Sequence, residues 1–264
     1  MPTPTRRPPM SESSALKIAP GDILGWPILK VDYPTDPKNI AALLPPGIEP
    51  SDTSEVHLSI YNFPVPDEPE YGIVTTVDAN YAGEKGMYTL GYGIDQESAV
   101  HISQELNGQP KYLAQIEYWR MGPKVHARCV HQGYTFVELT GQSTGVQPNR
   151  APHSEIEWWI KSSRAVGGAE KSYDFPPHVV KVKSDYETVL QEGVDVDLRL
   201  LESPWDPIAR LLPIAGEVAA RLCTFRFLDR TITLEGSLDP DAFWPHADTI
   251  SGSRWPGLRG GPPR

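Results

Sequence analysis

Between its two ends the chain alternates apolar and polar positions. Glu55-Val56-His57-Leu58-Ser59-Ile60-Tyr61 sets every second side chain on one apolar face, and the same period of two runs through 125–139, 179–183, 194–200 and 225–234. Successive side chains of a strand point to opposite faces, so these stretches predict half-buried strands. Lys181 with Lys183, and Asp195 with Asp197, fall on polar faces and are expected in solvent. Helical spacing is scarce. The sequence predicts one helix over 37–44, capped by Asp36 and stopped before Pro45, and another over 97–106, stopped before Asn107-Gly108. A third stretch, 206–222, has apolar spacings of three and four but contains Pro213, which should break or restart it. No repeat of fixed period is visible. The expected class is α+β, predominantly antiparallel β, with one domain over 19–250. The flanking tails, 1–18 and 251–264, are rich in Pro, Ser, Thr or Gly and are expected to be disordered.

Charge narrows the partners. The formal net charge is −10, which repels phosphate backbones and anionic lipid, so neither nucleic acid nor a membrane is expected to bind. The first fifteen residues hold Arg6 and Arg7 but no apolar segment of a secretory signal, and no stretch approaches the ~20 apolar residues of a membrane span. The two cysteines, Cys129 and Cys223, lie far apart and form no Cys-x-x-Cys pair, which fits a reducing compartment. A cytoplasmic protein is expected.

Several chemistries have little support. His126-x-x-Cys129-x-His131 has metal-ligating residue types, but His126 and His131 differ by an odd number and should face opposite sides of a strand, so no metal site is expected. There is no Gly-x-Ser-x-Gly elbow, and Gly91-Tyr92-Gly93 lacks the third glycine of a dinucleotide loop. No cofactor is expected.

The segment that carries chemistry is Gln104-Glu105-Leu106-Asn107-Gly108-Gln109-Pro110-Lys111-Tyr112-Leu113-Ala114-Gln115-Ile116, in which one lysine follows a turn and opens an apolar run. It resembles the E-L-x-G-x-P-K-x-x-A-x-I pattern of acetoacetate decarboxylase-like enzymes. Leu43-Leu44-Pro45-Pro46-Gly47-Ile48-Glu49, Gly83-Glu84-Lys85-Gly86-Met87-Tyr88 and Asp95-Gln96-Glu97-Ser98-Ala99-Val100 occur in the order and spacing of that family. The resemblance implies a barrel-like β core enclosing a small-molecule cavity, and a lyase in which Lys111 forms a Schiff base with a keto or β-keto acid. An amine attacks a carbonyl only when neutral, and at the ordinary lysine pKa near ~10.4 about one molecule in a thousand is neutral at pH 7. Leu113, Ala114 and Ile116 form the run that Lys111 opens, so a largely apolar cavity is expected around it.

The same resemblance places departures. Tyr112 stands where the decarboxylases have a second lysine, Trp26 near their pocket arginine, Ser59 near one glutamate, and Gly72, Ile73 and Val74 around another; Glu70 is the nearest acid. Consecutive strand residues alternate, so Tyr112 is expected to point away from Lys111. Candidate substrate-binding residues are Trp26, Tyr61, Tyr92, Gln104, Glu105 and Arg226, with Arg230 as a second available cation. Gln104 takes the place of an arginine in the family pattern. Glu105 serves either the Gly108–Pro110 turn or the pocket. Decarboxylation and aldol-type cleavage or condensation with dehydration both remain open. A keto substrate larger and more apolar than acetoacetate is expected, for instance a natural-product intermediate, handled by a homo-oligomer. The alternative is a pocket that binds its ligand without a covalent bond, as an isomerase, cyclase or carrier.

Overall fold

The computed structural model describes residues 26–65, 68–247 and Trp255, with side chains 63–69 left aside. Twelve strands dominate the described residues. In chain order they are β1 (Ile28–Pro34), β2 (Glu49–Pro50), β3 (Glu55–Val65), β4 (Glu68–Tyr81), β5 (Glu84–Ile94), β6 (Lys111–Leu113), β7 (Gln115–Met121), β8 (Lys124–His131), β9 (Tyr134–Gln147), β10 (His153–Arg164), β11 (Tyr173–Leu200) and β12 (Ala219–Ser237). Four short helices accompany them: α1 (Pro37–Leu43), α2 (Glu97–Asn107), α3 (Ile208–Leu211) and α4 (Pro240–Ala247). The class is the predicted one, mostly antiparallel β with a few helices.

The two predicted helices form where their caps place them. Asp36 accepts from the Lys38 amide at the start of α1, and Gly108, with φ 65°, closes α2 in the left-handed conformation. The third stretch is corrected: one turn, α3, survives, and residues 219–222 already belong to β12. Pro213 ends the helical spacing, and β12 gains a strand partner on each side, which outweighs weak helix propensity. The alternating run 125–139 is a hairpin, turned by Gln132 and Gly133 at positive φ. The separate patterns at 179–183 and 194–200 are two parts of the single strand β11. The predicted tail 1–18 lies outside the described residues, as does 251–264 apart from Trp255. That residue is 2% exposed and donates its indole N–H to the Trp205 carbonyl.

Strand order runs β10-β5-β4-β3-β1-β12-β11-β9-β8-β7, and a further pairing joins β11 back to β10. Seven strands, β10-β5-β4-β3-β1-β12-β11, therefore form a closed circuit of hydrogen-bonded neighbours. Among the described residues only β5–β10 and β5–β6 are parallel. The main core packs on the outside of this circuit: Leu29, Val31 and Tyr33 of β1 and Val56, Leu58 and Ile60 of β3 share one cluster with Tyr118, Ala127, Phe136 and Leu139 of β7–β9. The alternate residues of the same strands, Lys30 and Asp32, His57, Ser59 and Tyr61, line a cavity of about 840 Å³. Their polar face is an inner wall.

Candidate active site

Lys111 is placed by backbone geometry. The αL cap at Gly108 packs so closely on β10 that an added Cβ would meet the Ile160 carbonyl at 2.7 Å, which excludes other residues there. Lys161 donates to the free carbonyls of Glu105 and Leu106 at the end of α2, and Gln104 donates its side-chain N–H to the Lys111 carbonyl. The Pro110 carbonyl accepts from Tyr92, and β6 runs parallel to β5 with Tyr92 opposite Lys111. The lysine is thus pinned to the wall, 8% exposed, with its amine inside the cavity.

Its partner is Glu70, which is completely buried; Lys111 Nζ lies 3.2 Å from Oε2, and Tyr61 donates to Oε1 at 2.9 Å. Glu70 and Gly72 share a face of β4. Gly72 leaves room for the Tyr61 ring, whose Cζ would lie 2.3 Å from any Cβ at 72. Glu70 therefore stands two residues before the 72–74 stretch, on the face of β4 that Gly72 shares. The contact brings the lysine amine and a carboxyl group within proton-transfer distance of each other.

A second carboxylate stands beside this pair. Glu157 Oε2 accepts from Tyr92 OH at 2.5 Å, Thr89 Oγ1 at 3.0 Å and Trp159 Nε1 at 3.1 Å. Tyr61, Tyr92, Trp159, Val74, Val180 and Val182 form one buried cluster around the two acids. Burial, and next the neighbouring carboxylate, push both phenols well above their ordinary 10: Glu70 acts on Tyr61 and Glu157 on Tyr92. Both tyrosines are therefore neutral donors at working pH.

Away from Lys111 the cavity carries more charge. Lys30 makes a two-oxygen contact with Glu155 at 2.7 and 2.9 Å. Burial opposes the charge on each, but their attraction prevails, holding Lys30 above and Glu155 well below its ordinary range. Further along β3, His57 Nδ1 meets Asp32 at 2.7 Å, Nε2 meets Asp78 at 3.0 Å, and Arg221 donates to the other oxygen of Asp32. Phe225, Phe227 and Tyr186 form an aromatic wall, with Arg230 over Phe227 and donating to Ser184 Oγ at 3.0 Å.

The candidate residues divide. Lys111, Tyr61 and Tyr92 line the cavity together. Gln104 supports Lys111 through its backbone, and Glu105 is exposed on α2 with its carbonyl taken by Lys161. Trp26 packs edge-on against Tyr118, outside the lining. Arg226 faces solvent in an ion pair with Glu187 at 2.6 Å, because residue 226 lies on the outward face of β12; of the two arginines weighed from the sequence, Arg230 is the one that lines the cavity. The expected apolar surroundings of Lys111 are corrected: Ala114 and Ile116 turn into the outer core, Leu113 is exposed, and the lysine faces a carboxylate. Tyr112 does point away, into the core, with its ring centroid 4.6 Å from that of His131. His126 stacks on Trp119, away from Asp206, which bonds His131 at 2.5 Å and also acts on the buried Cys129. Glu157, Glu155, Lys30, Asp32 and His57 were not singled out from the sequence. The available signal was charge at every second position of a strand whose other face is apolar.

The acetoacetate decarboxylase family profile matches residues 1–238. The chain belongs to the acetoacetate decarboxylase family. No curated protein sequence matches it. Among solved structures it is similar to an acetoacetate decarboxylase at 15% identity (TM-score 0.69; 83% of this chain and 91% of that one) and to the acetoacetate decarboxylase of Legionella pneumophila at 17% (TM-score 0.64; 83% and 86%). It is also similar to the enduracididine biosynthesis enzyme MppR complexed with the condensation product of pyruvate and imidazole 4-carboxaldehyde, at 18% identity (TM-score 0.60; 82% and 88%). At these identities the shared property is the acetoacetate decarboxylase fold. Among the described residues, no helix of this family member is long and apolar enough to cross a membrane.

Proposed function

We propose that this acetoacetate decarboxylase family member is a carbon–carbon lyase that acts on a keto acid through a Schiff base on Lys111. The observation that carries the reading is the buried Lys111–Glu70 contact inside a cavity. Glu70 takes the ammonium proton, the freed amine attacks the ketone, and loss of water leaves an iminium that accepts an electron pair from a breaking bond at the neighbouring carbon. Tyr61 fixes the orientation of Glu70. We read the closed strand circuit as the barrel-like core that encloses the reaction.

A volume of about 840 Å³ lies within the ~300–1,000 Å³ typical of pockets for drug-sized ligands, which favours a substrate larger than acetoacetate. The aromatic wall of Tyr186, Phe225 and Phe227 suits an extended, partly apolar molecule, and the likeness to an enduracididine biosynthesis enzyme supports a natural-product intermediate. Arg230 is the cation we assign to a substrate carboxylate, since Lys30 and Arg221 already hold acids of their own.

Borohydride reduction in the presence of pyruvate or a larger 2-keto acid should leave a stable adduct on Lys111, located by peptide mass spectrometry and lost in Lys111→Ala. Tight keto-acid binding with no adduct would replace this reading with non-covalent catalysis or carriage.

A further inference from the structure

The chemistry of a lysine-linked substrate needs protons moved at two places. One set belongs to nitrogen and to the departing water; the other belongs to the carbon next to the iminium. Glu70 is committed to the first, because one of its oxygens faces Lys111 and the other accepts from Tyr61. Glu157 is built differently. All three of its donors, Tyr92, Thr89 and Trp159, converge on Oε2, and among the described residues no hydrogen bond reaches Oε1. Three donors on one oxygen fix the carboxylate in a single orientation. The remaining oxygen stays open for a proton. Its main holder, Tyr92, is the strand neighbour of Lys111, so both groups belong to the same stretch of cavity wall.

We propose that Glu157 is the catalytic base and acid for the substrate carbon, working through Oε1, while Glu70 serves the nitrogen of Lys111. This rests on the Schiff-base reading above. In the forward step the C–H bond beside the iminium carbon breaks, its electron pair forms the carbon–carbon double bond of an enamine, the C=N π pair moves to nitrogen, and the proton goes to Glu157 Oε1. In reverse the same proton returns to that carbon, or it goes to a hydroxyl leaving as water in the dehydration that follows an aldol addition. No outside oxidant or reductant takes part. Thr89, Tyr92 and Trp159 are positioning residues, since they reach the substrate only through Glu157.

Pyruvate in deuterium oxide is the probe, because an enamine on Lys111 exchanges its methyl protons above the slow enolisation of free pyruvate, which Lys111→Ala measures as background. Exchange is followed by proton NMR, and adduct formation on Lys111 by borohydride trapping. Glu157→Gln should trap pyruvate within a few-fold of the unaltered enzyme yet lose exchange by about 10²-fold or more, the usual contribution of a placed proton-transfer group. Glu157→Asp, which keeps the charge but withdraws the oxygen, should retain trapping with intermediate exchange. It also covers the case in which the glutamine variant fails to fold. Exchange at the original rate in either variant, or equal loss of trapping and exchange in both, would overturn the assignment to carbon. Absence of any adduct in the unaltered enzyme would overturn the Schiff-base reading itself, and this proposal with it.

Discussion

His57 gives the sharpest quantitative expectation. Its ring is held by Asp32 at 2.7 Å and Asp78 at 3.0 Å, with its side chain 20% exposed. Burial works against the imidazolium, but hydrogen bonds and attraction from the two aspartates outweigh it and push the pKa from the ordinary 6.5 up to about 9. The folded-state value is the higher one, so the cluster's contribution is fully present below about pH 6.5 and is lost as pH rises through about 9. At about 1.4 kcal/mol per pH unit this rise corresponds to ~3 kcal/mol. Replacing His57 with Gln keeps one side-chain donor but removes the charge. Urea unfolding of both proteins at pH 6 and pH 9.5 measures the effect, because other groups that titrate in this window cancel in the difference. The unaltered protein should lose ~3 kcal/mol more than His57→Gln between the two pH values. Parallel losses would mean that His57 is neutral in the folded protein and that the two aspartates do not hold a proton on it.

Three further outcomes follow from the same geometry. Gly72→Ala should drive the Tyr61 ring off Glu70, costing roughly 1–3 kcal/mol in thermal or urea unfolding and slowing adduct formation on Lys111 at least tenfold. Tyr112→Lys should leave the pH profile of Lys111 labelling by an amine-reactive probe unchanged, since residue 112 is in the outer core. Burying that charge should cost roughly 3–5 kcal/mol of stability, and a labelling profile moved by a full pH unit would show that both side chains share one cavity. Acetoacetate should be a poor substrate, with kcat/KM for carbon dioxide release well below that for a larger keto acid, because it fills a small part of an 840 Å³ cavity.

Much of the site was legible one strand at a time. The turn, the proline and the lysine at 108–111 specify a strand start opposite β5, and alternation correctly sends Tyr112 away from Lys111. Glu70 was visible only as the nearest acid, because its use depends on Gly72 making room for the Tyr61 ring, and that contact joins two strands. Glu157 carries no local motif. Its fixed orientation comes from Thr89 and Tyr92, about seventy residues earlier, and from Trp159 on its own strand face.

The sequence by itself determined the period of two, the helix caps, the class of fold and the turn that opens β6 at Lys111, since each depends on neighbours within a few residues. It could not say which face of each strand meets water. The polar face of β1 and β3 looks solvated when read along the chain, yet closure of β10 onto β11 turns it inward and sets Lys30, His57, Tyr61, Glu70, Lys111 and Glu157 around one cavity. Only the tertiary structure decides this. An alternating strand specifies two faces but not the curvature of the sheet, and curvature comes from pairings between residues far apart in the chain.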